Sequence, residues 1–177
     1  MFIDQIGDRM KIFFVRHGES VAQPDHLVCG DLDIQLTEKG LLQSEDLAKE
    51  LKLHDIHFDH IYVSPLKRAL RTLSPYLSII GKRQSETSIV DELKEICVGD
   101  YAKMNFQGLK KEDHRLYYHG DNPDVSWPNG ESMTDYYKKV TGWFETNVLT
   151  EENIGKNILI VSHVGSCLLY TSPSPRD

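Results

Sequence analysis

Two stretches of this sequence run a set of large apolar residues into one polar residue and then a histidine: "FFVRHGES" over residues 13–20 and "LIVSHVGS" over residues 159–166. A third, "HIYVSPLKR" over residues 60–68, runs from an apolar segment to an arginine. In an open α/β sheet, functional groups gather at the carboxyl ends of parallel strands, which would collect Arg16, His17, Arg68 and His163 at one place. Two guanidiniums, two imidazoles and the first turn of a helix directed at one point describe a phosphate site. A histidine in such a site serves either as an anion ligand or as a nucleophile.

The elements that must position these residues are legible in the patterning. "KIFFV" (11–15) and "NILIV" (157–161) are near-continuous runs of β-branched and aromatic residues, suited to strands buried on both faces of a parallel sheet. "HIYV" (60–63) is a third, shorter strand candidate. The segment after it predicts a helix capped by Ser64, with Pro65 in its first position. Its apolar face would be Leu66, Ala69, Leu70 and Leu73, and Pro75 should end or kink it. Thr37 is the expected cap of another helix, with Leu41, Ser44, Ala48 and Leu51 along one side. Ser132 and Asp135 open the longest periodic segment, whose core stripe is Met133, Tyr136, Tyr137, Val140, Phe144 and Val148. Strands alternating with helices predict an α/β fold, a three-layer sandwich with a mostly parallel central sheet flanked by helices.

The motifs as a set resemble the histidine phosphatase superfamily, whose fold is also called phosphoglycerate mutase-like. "RHGES" resembles its R-H-G-[ED]-[ST] signature, and "GDLDIQLTEKG" (30–40) its G-x-x-D-x-x-L-T-x-x-G stretch. "SPLKRALRT" (64–72), "LKEICVGD" (93–100), "PNGES" (128–132) and "VSHVG" (161–165) follow in family order. The resemblance implies that His17 is the nucleophile, forming a phosphohistidine, and that Glu95 is the proton donor. It further implies phosphate binding by Arg16, Arg68 and His163, with Gln23 standing where the family often has Asn. It implies no metal and no cofactor, and the expected activity is metal-independent, with an acid limb set by Glu95. Glu131 either helps the site through a hydrogen bond or simply begins a helix, where acids are favoured.

Composition narrows the partners. A net charge of −7 over 177 residues gives no global field for nucleic acid or an acidic membrane, so anion binding must be local. No apolar stretch approaches the roughly 20 residues of a membrane span. The three cysteines, Cys29, Cys97 and Cys167, are too few and too scattered for a disulfide framework and read as packing thiols of a cytoplasmic protein. The histidines His54, His57 and His60 lack companion ligands and read as a solvated turn. The expected partner is a small-molecule phosphate ester.

Residues 1–171 are expected to form one domain, C-terminally incomplete, with residues 172–177 an irregular tail of truncation or frame-artefact type. "SCLLY" would supply about one helical turn before Pro173 and Pro175. Residues 100–127 are expected to cover the pocket and set substrate choice, with Tyr101, Phe106, Tyr117, Tyr118 and Trp127 giving contact area. Lys110, Lys111 and His114 would meet a second anionic group. The leading function is a phosphomonoesterase acting on a small phosphorylated metabolite. The alternatives are a cofactor-dependent phosphoglycerate mutase, disfavoured because residues 100–127 hold only Arg115 as arginine, and a non-catalytic phosphate-binding relative.

Overall fold

The computed structural model describes residues 2–5, 10–113 and 122–171. Five strands form one sheet: β1 (Phe2–Gln5), β2 (Lys11–Arg16), β3 (His60–Val63), β4 (Ser88–Ile89) and β5 (Asn157–Ser162). Their order is β1-β2-β5-β3-β4, with β2, β5, β3 and β4 parallel and β1 antiparallel at the edge. The long helices are α1 (Glu38–Leu53), α2 (Lys67–Ile79), α4 (Met133–Asn147) and α5 (Val164–Thr171), and a single turn, α3, spans Lys111–Asp113. Among the described residues no helix is long and apolar enough to cross a membrane.

The period-two alternation within the apolar strands builds the three layers. Phe13, Val15, Ile61, Val63, Leu159 and Val161 face α1 and α2, where Ala48, Leu51, Ala69, Leu73, Tyr76 and Leu77 cover them. Ile12, Phe14, Ile158 and Ile160 face the other way, against Phe144 and Val148 at the end of α4 and Cys167 of α5. Continuous apolar runs are needed because both faces are covered. A third cluster, with Val28, Ile96, Val98, Trp127, Tyr136 and Val140, lies beyond the sheet end.

Several local expectations are corrected. Ser64 does not cap α2, whose N-cap is Leu66 without a side-chain bond; the serine hydroxyl is drawn instead to His163. Pro75 lies inside α2, which continues to Ile79. Burial of Leu73, Tyr76 and Leu77 around it, with the Tyr76 hydroxyl donating to the Ile56 carbonyl at 3.1 Å, outweighs the roughly 3 kcal/mol cost of an interior proline. On α1, Thr37 caps by accepting from the Gly40 amide, but Leu41 is 45% exposed and Gly40 takes the buried position. Finally, α5 has eight residues rather than one turn, since proline excludes helix only from the residue immediately before it. The tail at 172–177 lies outside the described residues.

Candidate active site

Strand register sets the site. In the parallel ladders Val15 and Val63 both pair with Val161, and Arg16 pairs with Ser162. His17, Ser64 and His163 therefore lie one step beyond the last shared rungs. The ladder bonds continue there, with the His17 amide donating to the Ser162 carbonyl and the Ser64 amide to the Val161 carbonyl, each at 3.0 Å. The chain then turns at Gly18, where an added Cβ would stand 2.5 Å from the Gly40 carbonyl oxygen, so this loop packs backbone to backbone on the start of α1.

Arg68, the second residue of α2, is fully buried and organises the centre. Its Nε–H is shared between His17 Nε2 and His163 Nδ1, at 3.2 Å each. Its terminal nitrogens donate to the carbonyls of Leu32 (2.5 Å) and Gly30 (2.7 Å). These bonds fix both imidazole tautomers. His17 Nδ1–H donates to the Gly18 carbonyl at 2.7 Å, leaving a lone pair on Nε2. His163 Nε2–H donates to Ser64 Oγ at 2.8 Å, leaving a lone pair on Nδ1. The two rings lie 5.1 Å apart. Burial, reinforced by the nearby Arg68 and Arg16 charges and opposed by the Gly18 carbonyl, pushes His17 down to about 4. Burial and the same cations hold His163 well below the usual histidine range. Both rings are neutral at physiological pH.

Glu95 sits in an irregular segment fastened at both ends. Before it, the Leu93 carbonyl accepts from Ser162 Oγ at 2.8 Å; after it, the Cys97 amide donates to Glu131 Oε2 at 2.9 Å. The carboxylate accepts from the Ile96 amide (3.1 Å) and, weakly, from the Gly165 amide (3.4 Å). A Cβ on Gly165 would stand 2.6 Å from Glu95 Oε1 and 2.9 Å from the Tyr136 hydroxyl, so only glycine lets α5 approach the acid this closely. Tyr136 is fully buried, within hydrogen-bonding reach of Glu95 and 2.9 Å from Ser166 Oγ. Burial and the Glu95 charge raise its pKa, keeping the phenol a donor.

A cavity of about 610 Å³ opens over this constellation, and Arg16, His17, Gln23, Arg68 and Glu95 all line it. Gln23 is exposed and its Oε1 accepts from the Ser20 amide at 2.7 Å, so its Nε2 is the end able to donate to a bound oxyanion. His163 joins the cluster but not the cavity wall; both its nitrogens are engaged by protein groups. The sequence reading missed four contributors. Ser64 orients His163, and Thr72 Oγ1 accepts from the Gly18 amide at 3.0 Å while donating to the Arg68 carbonyl at 2.7 Å. Tyr136 backs Glu95. Ser20 lines the cavity, and its Oγ is buried without a hydrogen-bond partner among the described residues. Polar residues at strand ends and inside an apolar stripe are the signals that would have found them.

Other candidates fall away. Glu131 does not line the cavity; it pins Cys97 and accepts from Lys139 Nζ at 2.6 Å. Cys29 lines the wall, but burial raises its pKa, so it stays a thiol. Phe106 and Trp127 belong to the wall, and Tyr101 packs edge-on to Trp127 behind it. Lys110 and Lys111 are exposed and off the wall, while His114, Tyr117 and Tyr118 lie outside the described residues.

Known proteins share this arrangement of elements. The chain is 32% identical over 158 residues to an adenosylcobalamin/alpha-ribazole phosphatase of Escherichia coli, covering 88% of this chain and 74% of that protein. It is 29% identical over 162 residues to a phosphoglycerate mutase of Schizosaccharomyces pombe, with the same two coverages. The crystal structure of the alpha-ribazole phosphatase from Shigella flexneri superposes with a TM-score of 0.72 at 30% identity, covering 88% of this chain and 75% of that one. The family model for the histidine phosphatase superfamily (branch 1) matches residues 12–172. With its strand order, its paired histidines around a buried arginine and this match across nearly its whole length, the chain belongs to the histidine phosphatase superfamily.

Proposed function

We propose that this chain is a phosphomonoesterase that hydrolyses a small phosphorylated metabolite through phosphohistidine at His17. The observation that carries the reading is the shared Arg68 Nε–H. It marks His17 Nε2 as an unprotonated nitrogen on the cavity wall beside a buried guanidinium. Among the described residues no carboxylate pairs with that guanidinium, whose partners are two carbonyls and two imidazoles. A buried cation so placed calls for an anion, and a phosphate monoester supplies one.

In the proposed first step, His17 Nε2 forms a bond to phosphorus as the bond to the ester oxygen breaks. Protonated Glu95 gives its proton to that oxygen, releasing the alcohol. Arg16, Arg68 and the Gln23 amide take the charge on the equatorial oxygens. The Gly18 carbonyl, accepting from Nδ1–H, stabilises the positive charge that grows on the ring. In the second step Glu95, now a carboxylate, takes a proton from water as the water oxygen bonds to phosphorus. The P–N bond breaks, returning neutral His17 and free phosphate. His163, which accepts from the same Arg68 Nε–H as His17, belongs to the same phosphate-binding set.

The phosphatase names of the relatives support hydrolysis; the mutase names support the same phosphohistidine with an alcohol in place of water as acceptor. We assign this activity to one domain over residues 1–171 and to the cytoplasm, a compartment that keeps thiols such as Cys29 and Cys97 reduced. Acid-quenched mass spectrometry during turnover of a phosphate monoester tests the reading. The expected result is phosphate on His17 and free phosphate in solution, with His17→Ala lowering kcat by roughly 10³-fold or more. Turnover undiminished in His17→Ala would overturn it.

A further inference from the structure

The cavity is much larger than its charged end, and the two parts differ in chemistry. Arg16, Arg68 and Glu95 meet at the phosphate end, while the remaining wall is formed chiefly by Leu27, Val28, Phe106, Met133, Tyr137 and Val164. Among the described residues no lysine lines the cavity, and its only arginines are the two already committed to the phosphate. Gln23 and His26, both exposed, stand at the rim.

The apolar wall is built in. The segment carrying Phe106 is zipped onto the loop carrying Leu27 and Val28: the Val28 amide donates to the Met104 carbonyl at 2.9 Å and the Lys103 amide to the Val28 carbonyl at 2.7 Å. The Phe106 amide donates to the His26 carbonyl at 2.7 Å, which holds the half-buried ring at the cavity edge. Two segments far apart in sequence thus make one continuous apolar surface.

Resting on the reading of the site as a phosphomonoesterase, we infer that its substrate is an ester of an apolar, ring-bearing alcohol and not of a short carboxylated one. A ring would remove apolar surface from water on both sides, with Phe106 and Tyr137 offering faces or edges to it. A phosphorylated hydroxy acid would instead bring its carboxylate against this wall, where no lysine or further arginine among the described residues offsets its desolvation. A pocket of this size suits a ligand well beyond the phosphoryl group itself.

Benzyl phosphate tests the inference against glycerol phosphate and phosphoglycerate, all three having alkyl leaving oxygens so that leaving-group acidity does not decide the outcome. Phosphate on His17 is measured for each substrate by acid-quenched mass spectrometry. The expected result is kcat/KM about tenfold or more higher for benzyl phosphate than for either competitor. Phe106→Leu and Phe106→Ala should narrow that ratio, mainly through KM. Labelling of His17 with phosphoglycerate equal to or better than benzyl phosphate would overturn the inference while leaving the phosphatase reading intact. Arg115→Ala abolishing such a preference would trace it to that residue. Absence of labelling from every substrate would defeat the underlying reading, and the inference with it.

Discussion

At the scale of single residues, protonation of His17 governs the acid side of the reaction. A protonated imidazole has no lone pair to attack phosphorus, and burial beside Arg68 and Arg16 puts that event at about 4. The His17 contribution to the acid limb of kcat/KM should therefore fall near pH 4, well below the ordinary histidine value of about 6.5. The same depressed value links to stability. The unfolded chain protonates His17 below about pH 6.5 and the folded chain only below about 4, so the folded state loses stability as pH falls through that window. The single-residue contribution is on the order of 3 kcal/mol, fully in hand above pH 6.5. In urea melts between pH 7 and 4, wild type should lose stability relative to His17→Gln, which has no imidazole to protonate. Gly165→Ala is a second residue-scale case: its Cβ would displace Glu95 Oε1 or Tyr136, with an expected loss of about 10–100-fold in kcat at unchanged phosphate affinity, read from inhibition by inorganic phosphate.

At the scale of elements, two of the three side-chain helix caps inferred from the sequence are present, those of Thr37 and Ser132, while that of Ser64 is not. Thr37 Oγ1 accepts from the Gly40 amide at 3.0 Å, and Ser132 Oγ accepts from the Asp135 amide at 3.0 Å. Ser132→Ala should cost about 1 kcal/mol, measurable as a shift in denaturant midpoint. It should also lower kcat modestly, because α4 carries Tyr136 against Glu95 and Ser132 follows the Glu131 that pins Cys97. The apolar strands were legible because burial on both faces leaves no polar residue to obscure them. Strands β1 and β4 were not: one has four residues at the sheet edge, the other only two, and neither offers a period long enough to read. Ser64 and Pro65 were misread because the rule for helix starts is local. What decides the role of Ser64 is an imidazole 99 residues away in sequence.

At the scale of the whole molecule, the proposed catalytic groups come from separate parts of the chain and meet through sheet register. His17 follows β2, Arg68 opens α2, Glu95 lies between β4 and α4, and His163 follows β5. That convergence was readable because residues at the ends of parallel strands share one edge of the fold. The hydrogen bond that fastens His163 to Arg68 was not, since it depends on which side of Arg68 each ring takes. In the proposed mechanism the charge on a bound phosphate is met by guanidiniums and a side-chain amide. Activity should accordingly survive exhaustive chelation and show no gain on adding Mg²⁺, whereas Arg68→Lys should lose most of it, a single ammonium being unable to hold two carbonyls and two imidazoles at once.

The buried guanidinium of Arg68 also ties product inhibition to resistance against denaturation. An empty site asks the folded chain to keep a cation out of water with only neutral partners, and inorganic phosphate relieves that condition without any turnover. The inhibition constant for phosphate and the rise in unfolding free energy it produces then report one quantity by two routes. At a phosphate concentration about 100 times the inhibition constant the folded state should gain about 2.7 kcal/mol. A purification carried out in phosphate buffer would accordingly yield a sturdier and more inhibited protein than the same protocol in a buffer without oxyanions.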